Sequence, residues 1–175
     1  ISVNTTDQKQ GLGCLETFGK GPVEFAKTFS ETFSIENATT LEFWYYVSDV
    51  TKLDANGQVE LTSSGGPDDK EYAWTLTNLV NGWNNIVLKF SEAGITGGTP
   101  DLSKINFFRF YRYKNDDVTS RIDGLKFGGL SALADAGPDQ TITDDNDDGI
   151  EPVTLDGSGS IGPNGLIASY SWKEN

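Results

Sequence analysis

What most constrains this chain is a succession of short apolar and aromatic runs, each halted by Gly, Asn, Asp or Pro. The strand-like runs are residues 12–17, 23–29, 39–47, 58–63, 71–76, 84–90, 105–113 and 120–127. Only residues 91–94 and 102–104 suggest a helical turn. About eight strands at this spacing, with no helix to carry a crossover between parallel neighbours, predict an all-β, antiparallel jelly-roll β-sandwich. Asn56-Gly57, Asn81-Gly82 and Gly97-Gly98 read as strand-ending turns that tolerate positive φ. Gly11-Leu12-Gly13 is no dinucleotide fingerprint, because the third glycine and the following helix are missing.

Charge divides the chain. Residues 131–175 hold nine acidic residues and one basic one, Lys173, whereas residues 1–130 hold 17 and 12. The seam falls at Gly128-Gly129-Leu130-Ser131-Ala132, where small residues replace aromatic strands, as in a linker. Two domains are therefore expected, at 1–130 and 131–175. A net charge of −13 argues against nucleic acid as a partner. No stretch approaches the roughly 20 apolar residues of a membrane helix, and the chain opens at Ile1 with neither leader nor Met, as an excised piece does. With no histidine, a Ser-His or Cys-His nucleophile pair and a His-containing zinc site are excluded, and the lone Cys14 has no internal disulfide partner.

Period-two geometry in residues 41–47 sends Leu41, Phe43, Tyr45 and Val47 to one face, read as core, and Glu42, Trp44 and Tyr46 to the other. A Trp and a Tyr beside a carboxylate on an outward face suit a sugar, whose C–H patch packs on a ring while its hydroxyls bond to polar neighbours. Cover by a loop or an adjoining module is the alternative for Trp44. In residues 106–113, alternation leaves open whether Phe107, Arg109, Tyr111 and Tyr113 or Phe108, Phe110 and Arg112 face outward. Residues 104–126 carry six of the first segment's basic residues, and an Arg beside rings can bond hydroxyls or pair with a carboxylate or sulfate. Glu42, Trp44, Tyr46, Arg109, Tyr111, Arg112 and Tyr113 are the candidate ligand-binding residues.

Calcium takes oxygen ligands of the kind offered by Asp68, in the acidic Gly-rich loop 63–71, and by Asp7 and Asp123. In the second segment, Asp144, Asn146 and Asp148, with Gly149 at the sixth position, match the first half of a calcium loop, but Leu155 stands where the closing Glu belongs. A solvated acidic turn is the competing reading. No pair of carboxylates is spaced to suggest a glycosidase. A polysaccharide lyase working through Tyr46, Tyr111 and Arg109 is a minor alternative.

From Ala136 the chain reads Ala136-Gly137-Pro138-Asp139-Gln140, Val153-Thr154-Leu155-Asp156-Gly157-Ser158-Gly159-Ser160 and Gly165-Leu166-Ile167-Ala168-Ser169-Tyr170-Ser171-Trp172. This resembles the first half of a PKD domain, the immunoglobulin-like β-sandwich spacer of bacterial extracellular enzymes and surface proteins. Ile161-Gly162-Pro163-Asn164 departs from the family's Asp-rich turn. Residues 1–130 resemble jelly-roll carbohydrate-binding modules of the galactose-binding-like group. The residues that carry this are Gln10-Gly11-Leu12-Gly13-Cys14-Leu15-Glu16, 41–49, Gly82-Trp83-Asn84 and Arg121-Ile122-Asp123. Such modules accompany polysaccharide-degrading enzymes of marine and gut Bacteroidetes.

The resemblance implies a non-catalytic, secreted or cell-surface polysaccharide-binding module, stiffened by structural Ca2+ and monomeric within a larger multimodular chain. Its ligand would be an algal or plant-type glycan, neutral or anionic. A cell-surface adhesin or spacer contacting protein is the rival class.

Overall fold

The structure, a computed structural model, describes every residue except 130–132, 147, 163–166, 168 and 174–175, and every described side chain except those of residues 23 and 24. The expected linker residues 130–132, Asp147 of the acidic turn, and Pro163, Asn164, Gly165, Leu166 and Ala168 of the PKD-like motif lie outside the described residues. The chain divides into two compact units, Ile1–Gly128 and Gly129–Asn175.

The first unit is all-β and antiparallel. Its strands are β1 (Ser2–Asn4), β2 (Cys14–Phe33), β3 (Thr40–Val47), β4 (Gln58–Thr62), β5 (Glu71–Thr75), β6 (Gly82–Lys89), β7 (Gly94–Thr96) and β8 (Ile105–Gly128). Helical structure among the described residues is confined to two 3-10 turns, Val50–Lys52 and Phe90–Glu92. The second overlaps the expected turn at 91–94. The other expected turn, at 102–104, is not helical, and Val50–Lys52 was not foreseen.

Two long strands organise the unit. The runs 12–17 and 23–29, expected as separate strands, belong to one strand, β2; the runs 105–113 and 120–127 belong to β8. β2 and β8 pair antiparallel over most of their length, from Leu15↔Ile122 to Phe33↔Ile105, with a register jump between Gly19 and Gly21. Gly19 and Gly21 have φ of 123° and 97°, which L side chains rarely adopt, so the strand bends there without ending. The first half of β8 also pairs β4, which continues to β5 and β7; the second half also pairs β3, which continues to β6.

The two halves meet face to face in a sandwich-like core. Phe110, from the first half of β8, lies 6.3 Å from Phe43 and 4.6 Å from Tyr45, both on β3. Phe25 of β2 closes on the same ring at 6.0 Å. Leu41, Phe43, Tyr45 and Val47 are buried and their even-numbered neighbours are not, as period-two reading requires. Tyr45 satisfies its buried hydroxyl on Ser120 Oγ at 3.2 Å, and burial pushes that phenol's pKa up.

In the second unit no described residue belongs to a strand. One bridge joins Leu133 and Ile161, and Asp135 and Ser160 exchange hydrogen bonds beside it. Among the described residues of this unit no other bridge or strand pairing is present. Strands need neighbours to satisfy their backbone and bury one face, and here Ile150, Val153 and Leu155 stay exposed. A Cβ on Gly157 would stand 2.8 Å from the Tyr170 ring, so the Asp156-Gly157-Ser158 turn lies against the Tyr-x-Trp motif.

Candidate functional site

The outward faces of the two sheet halves separate the residues expected to act together. Even positions 108, 110, 112 and 114 of β8 are buried, which turns Arg109, Tyr111 and Tyr113 to the outer face beside β4. Trp44, Tyr46 and Glu42 look outward from β3, on the opposite side of the core. The seven residues are therefore not one face.

Arg112 belongs to neither face. It is 4% exposed, and its guanidinium donates to the Asp54 carbonyl at 2.8 Å and the Leu76 carbonyl at 2.7 Å. A Cβ on Gly57 would overlap it, so the glycine's missing side chain makes its room. Arg109 is taken up by Glu60, with bonds of 2.5 and 2.8 Å, and its guanidinium carbon lies 5.9 Å from the Tyr111 ring. Glu60 is itself buried beneath the pair.

The β3 face is richer than sequence reading foresaw. β3 and β6 pair with Tyr46 opposite Trp83 and Trp44 opposite Asn85. Trp83 thus joins the aromatic row, its ring 5.5 Å from Tyr46 at 65°. On the other flank Tyr46 is opposite Arg121, whose guanidinium carbon stands 4.3 Å over the phenol ring. A bulge around Gly124, where φ is 63°, shifts the register so that Lys126 comes opposite Glu42 and pairs with it at 3.2 Å. Thr40 donates to Glu42 at 2.9 Å, and this bond, then Lys126, holds the Glu42 carboxyl below the ordinary carboxylate range.

The segment between β1 and β2 lies over this face and builds its wall. Buried Asp123 accepts from the backbone N–H groups of Lys9 and Gln10 at 2.6 and 2.8 Å. Cys14, on the same face of the sheet, is buried and reaches the Asp7 carbonyl at 3.5 Å; burial, then the Asp123 charge, pushes its thiol pKa up. Asp7 accepts from the Trp83 indole N–H at 3.0 Å and is bridged to Arg121. Arg121 also bonds Glu16 at 2.5 Å, and Asn4 donates to the same carboxylate at 2.8 Å. That bond to Arg121, then the one from Asn4, lowers the Glu16 pKa.

So anchored, the segment sets Lys9 Nζ 4.9 Å over the Trp44 ring and 5.9 Å from that of Trp83. A cavity of about 250 Å3 opens beside Trp44, lined by Gln10, Glu42, Asn85, Gly124 and Lys126. The face thus gathers half-buried aromatic rings, four carboxylates, two amides and three cations.

The residues expected to ligate calcium take part in other contacts. Asp7 and Asp123 are engaged as just described, while Asp68 belongs to the loop before β5, where its N–H donates to Glu71 at 2.8 Å. Asp144, Asn146 and Asp148 close a turn on themselves: Asp144 accepts from the N–H groups of Asn146, Asp148 and Gly149, and Asn146 donates to Asp148 at 2.9 Å. Among the described residues no group of three or more His, Cys, Asp or Glu is placed to hold a metal ion. No family model matches the chain, and no curated protein does.

Trp83, Lys9, Gln10, Asn85, Arg121 and Lys126 were not among the expected site residues. Trp83 stood one residue before the run 84–90, and extending that run's alternation by one step turns it to the face shared with Asn85. No local pattern places Lys9 and Gln10 at the site, because their contacts to Asp123 span 114 and 113 residues of chain.

Proposed function

We propose that the first unit is a non-catalytic, jelly-roll-type polysaccharide-binding module. Its glycan would lie on the β3–β6 face, with Trp44, Tyr46 and Trp83 as the stacking surface. The observation that carries this reading is the convergence of these three half-buried rings on one outward face, rimmed by Asp7, Gln10, Glu42 and Asn85. Sugar rings need that combination: apolar faces for their C–H patches and polar side chains for their hydroxyls. Two or three stacked rings, each worth about 1 kcal/mol beyond burial, correspond to micromolar to millimolar binding.

Catalysis by the face is disfavoured on its own chemistry. A general acid needs a raised pKa, whereas hydrogen bonding by Thr40 and the charge of Lys126 lower that of Glu42. Asp7 is tied to Arg121 and Trp83. The second unit would then be a PKD-like spacer, and the host a secreted or cell-surface protein acting on polysaccharide.

Affinity electrophoresis through gels containing agarose, laminarin, xylan, galactomannan, alginate or carrageenan tests the reading. One polymer is expected to retard the protein, and Trp44→Ala and Trp83→Ala should each weaken that binding about three- to tenfold. Tyr113→Ala, on the opposite face, should leave it unchanged. Retardation by no polymer would favour a protein-contacting adhesin or spacer instead. Sensitivity to Tyr113→Ala with none to Trp44→Ala would move the site to the other sheet half.

A further inference from the structure

We propose that the β3–β6 face takes an uncharged glycan, and that Lys9 is its internal stand-in, holding the ring faces of Trp44 and Trp83 until a sugar displaces it. The inference rests on the glycan-binding reading and specifies its ligand class. Lys9 is an exposed cation brought over two indoles by a segment fixed at three points: its own N–H and that of Gln10 on Asp123, Asp7 on Trp83 and Arg121, and Cys14 on the Asp7 carbonyl. Among the described residues it enters no ion pair, so what it touches in the site is the rings.

A ring face attracts positive charge, whether an ammonium or the partially positive C–H groups of a sugar. The ammonium and a stacked pyranose therefore compete for one position. A sugar that stacks on Trp44 must move Lys9 aside, whereas an incoming carboxylate or sulfate would keep it as a counter-ion.

Charge around the rings decides between these two. Arg121 is shared by Asp7 and Glu16, Lys126 is paired with Glu42, and Asp123 lies beneath the Lys9–Gln10 backbone. With Lys9 counted, three cations thus stand among four carboxylates around the rings, on a chain of net charge −13. A polyanion would meet repulsion both at the face and from the molecule as a whole. A neutral sugar meets the same acceptors and donors without that repulsion.

The test compares the wild-type protein with Lys9→Ala, titrating soluble laminarin, galactomannan, alginate and carrageenan by tryptophan fluorescence at 20 and 300 mM salt. Lys9 is exposed and its anchoring N–H survives the substitution; matching near-ultraviolet circular dichroism would check that the face is intact. Wild type should bind a neutral polymer with no dependence on salt. Lys9→Ala should bind it about two- to fivefold more tightly, the exposed cation–π range converted at 1.4 kcal/mol per tenfold.

Salt-sensitive binding of alginate or carrageenan that Lys9→Ala weakens would overturn the inference and leave the glycan-binding reading standing. Unchanged affinity in Lys9→Ala would do the same. If neither protein binds any polymer, the glycan-binding reading fails and the inference falls with it.

Discussion

At the scale of single residues, the fold buries several charges. Arg112, Lys114, Glu60 and Glu71 are each less than a tenth exposed. Buried charges are rare enough that a reader of the sequence places them in solvent, which is why Arg112 was grouped with a binding surface it does not reach. Glu71 is the most informative of them. Burial raises its carboxyl pKa, the nearby charges of Glu60 and Asp68 raise it further, and the bond from the Asp68 N–H only partly offsets this. Folded protein thus holds this proton to higher pH than unfolded chain, whose Glu titrates near about 4.3. As pH rises through the window from that value to the raised one, the folded state binds more protons and stability falls; above the window the penalty is constant. Glu71→Gln, always neutral, should therefore melt above wild type at pH 7, and the gap should close as pH drops below about 4. A gap independent of pH, measured in paired thermal melts, would contradict this origin.

At the scale of elements, alternation within a run was readable and continuity between runs was not. The β3 pattern follows from residues 41–47 alone, because a strand with one face on a core must alternate. β2 and β8 were divided because Gly19-Lys20-Gly21 and Asn115-Asp116-Asp117 have the composition of turns. The same flexibility that ends a strand can bend one, and only pairing with a second long strand selects the bend. The Trp44 side of the site was legible for the same local reason, whereas Lys9 and Gln10 depend on a contact far along the chain. Gly19, with φ of 123° and open space where a Cβ would stand, isolates the cost of the bend. Gly19→Ala should destabilise the unit by about 1–3 kcal/mol through backbone strain alone. Gly66→Ala, also in open space but at ordinary φ, should change little. Equal urea midpoints for the two variants would show that β2 does not need glycine to turn.

At the scale of the whole molecule, cooperative stability should belong to the first unit. Every buried hydrophobic residue among those described lies between Cys14 and Ile122, and the rings of β2, β3 and β8 form one connected cluster. The described residues of the second unit include one bridge and keep Ile150, Val153, Leu155, Tyr170 and Trp172 at the surface, so they have little apolar burial to release on melting. Unfolding enthalpy near 60 °C scales at about 0.7 kcal/mol per residue that takes part in the cooperative transition. Calorimetry of the full chain should therefore give one transition of about 90 kcal/mol, the value for a 128-residue unit, and not the roughly 120 kcal/mol expected if all 175 residues melted as one. A chain ending at Gly128 should melt at the same temperature with the same enthalpy. A second transition in the full chain, or a loss of enthalpy in the shorter one, would mean that residues 129–175 hold a core of their own. Hydrogen exchange would report the same division, with slow amides along the β8 ladder and fast ones through the described residues of 134–160.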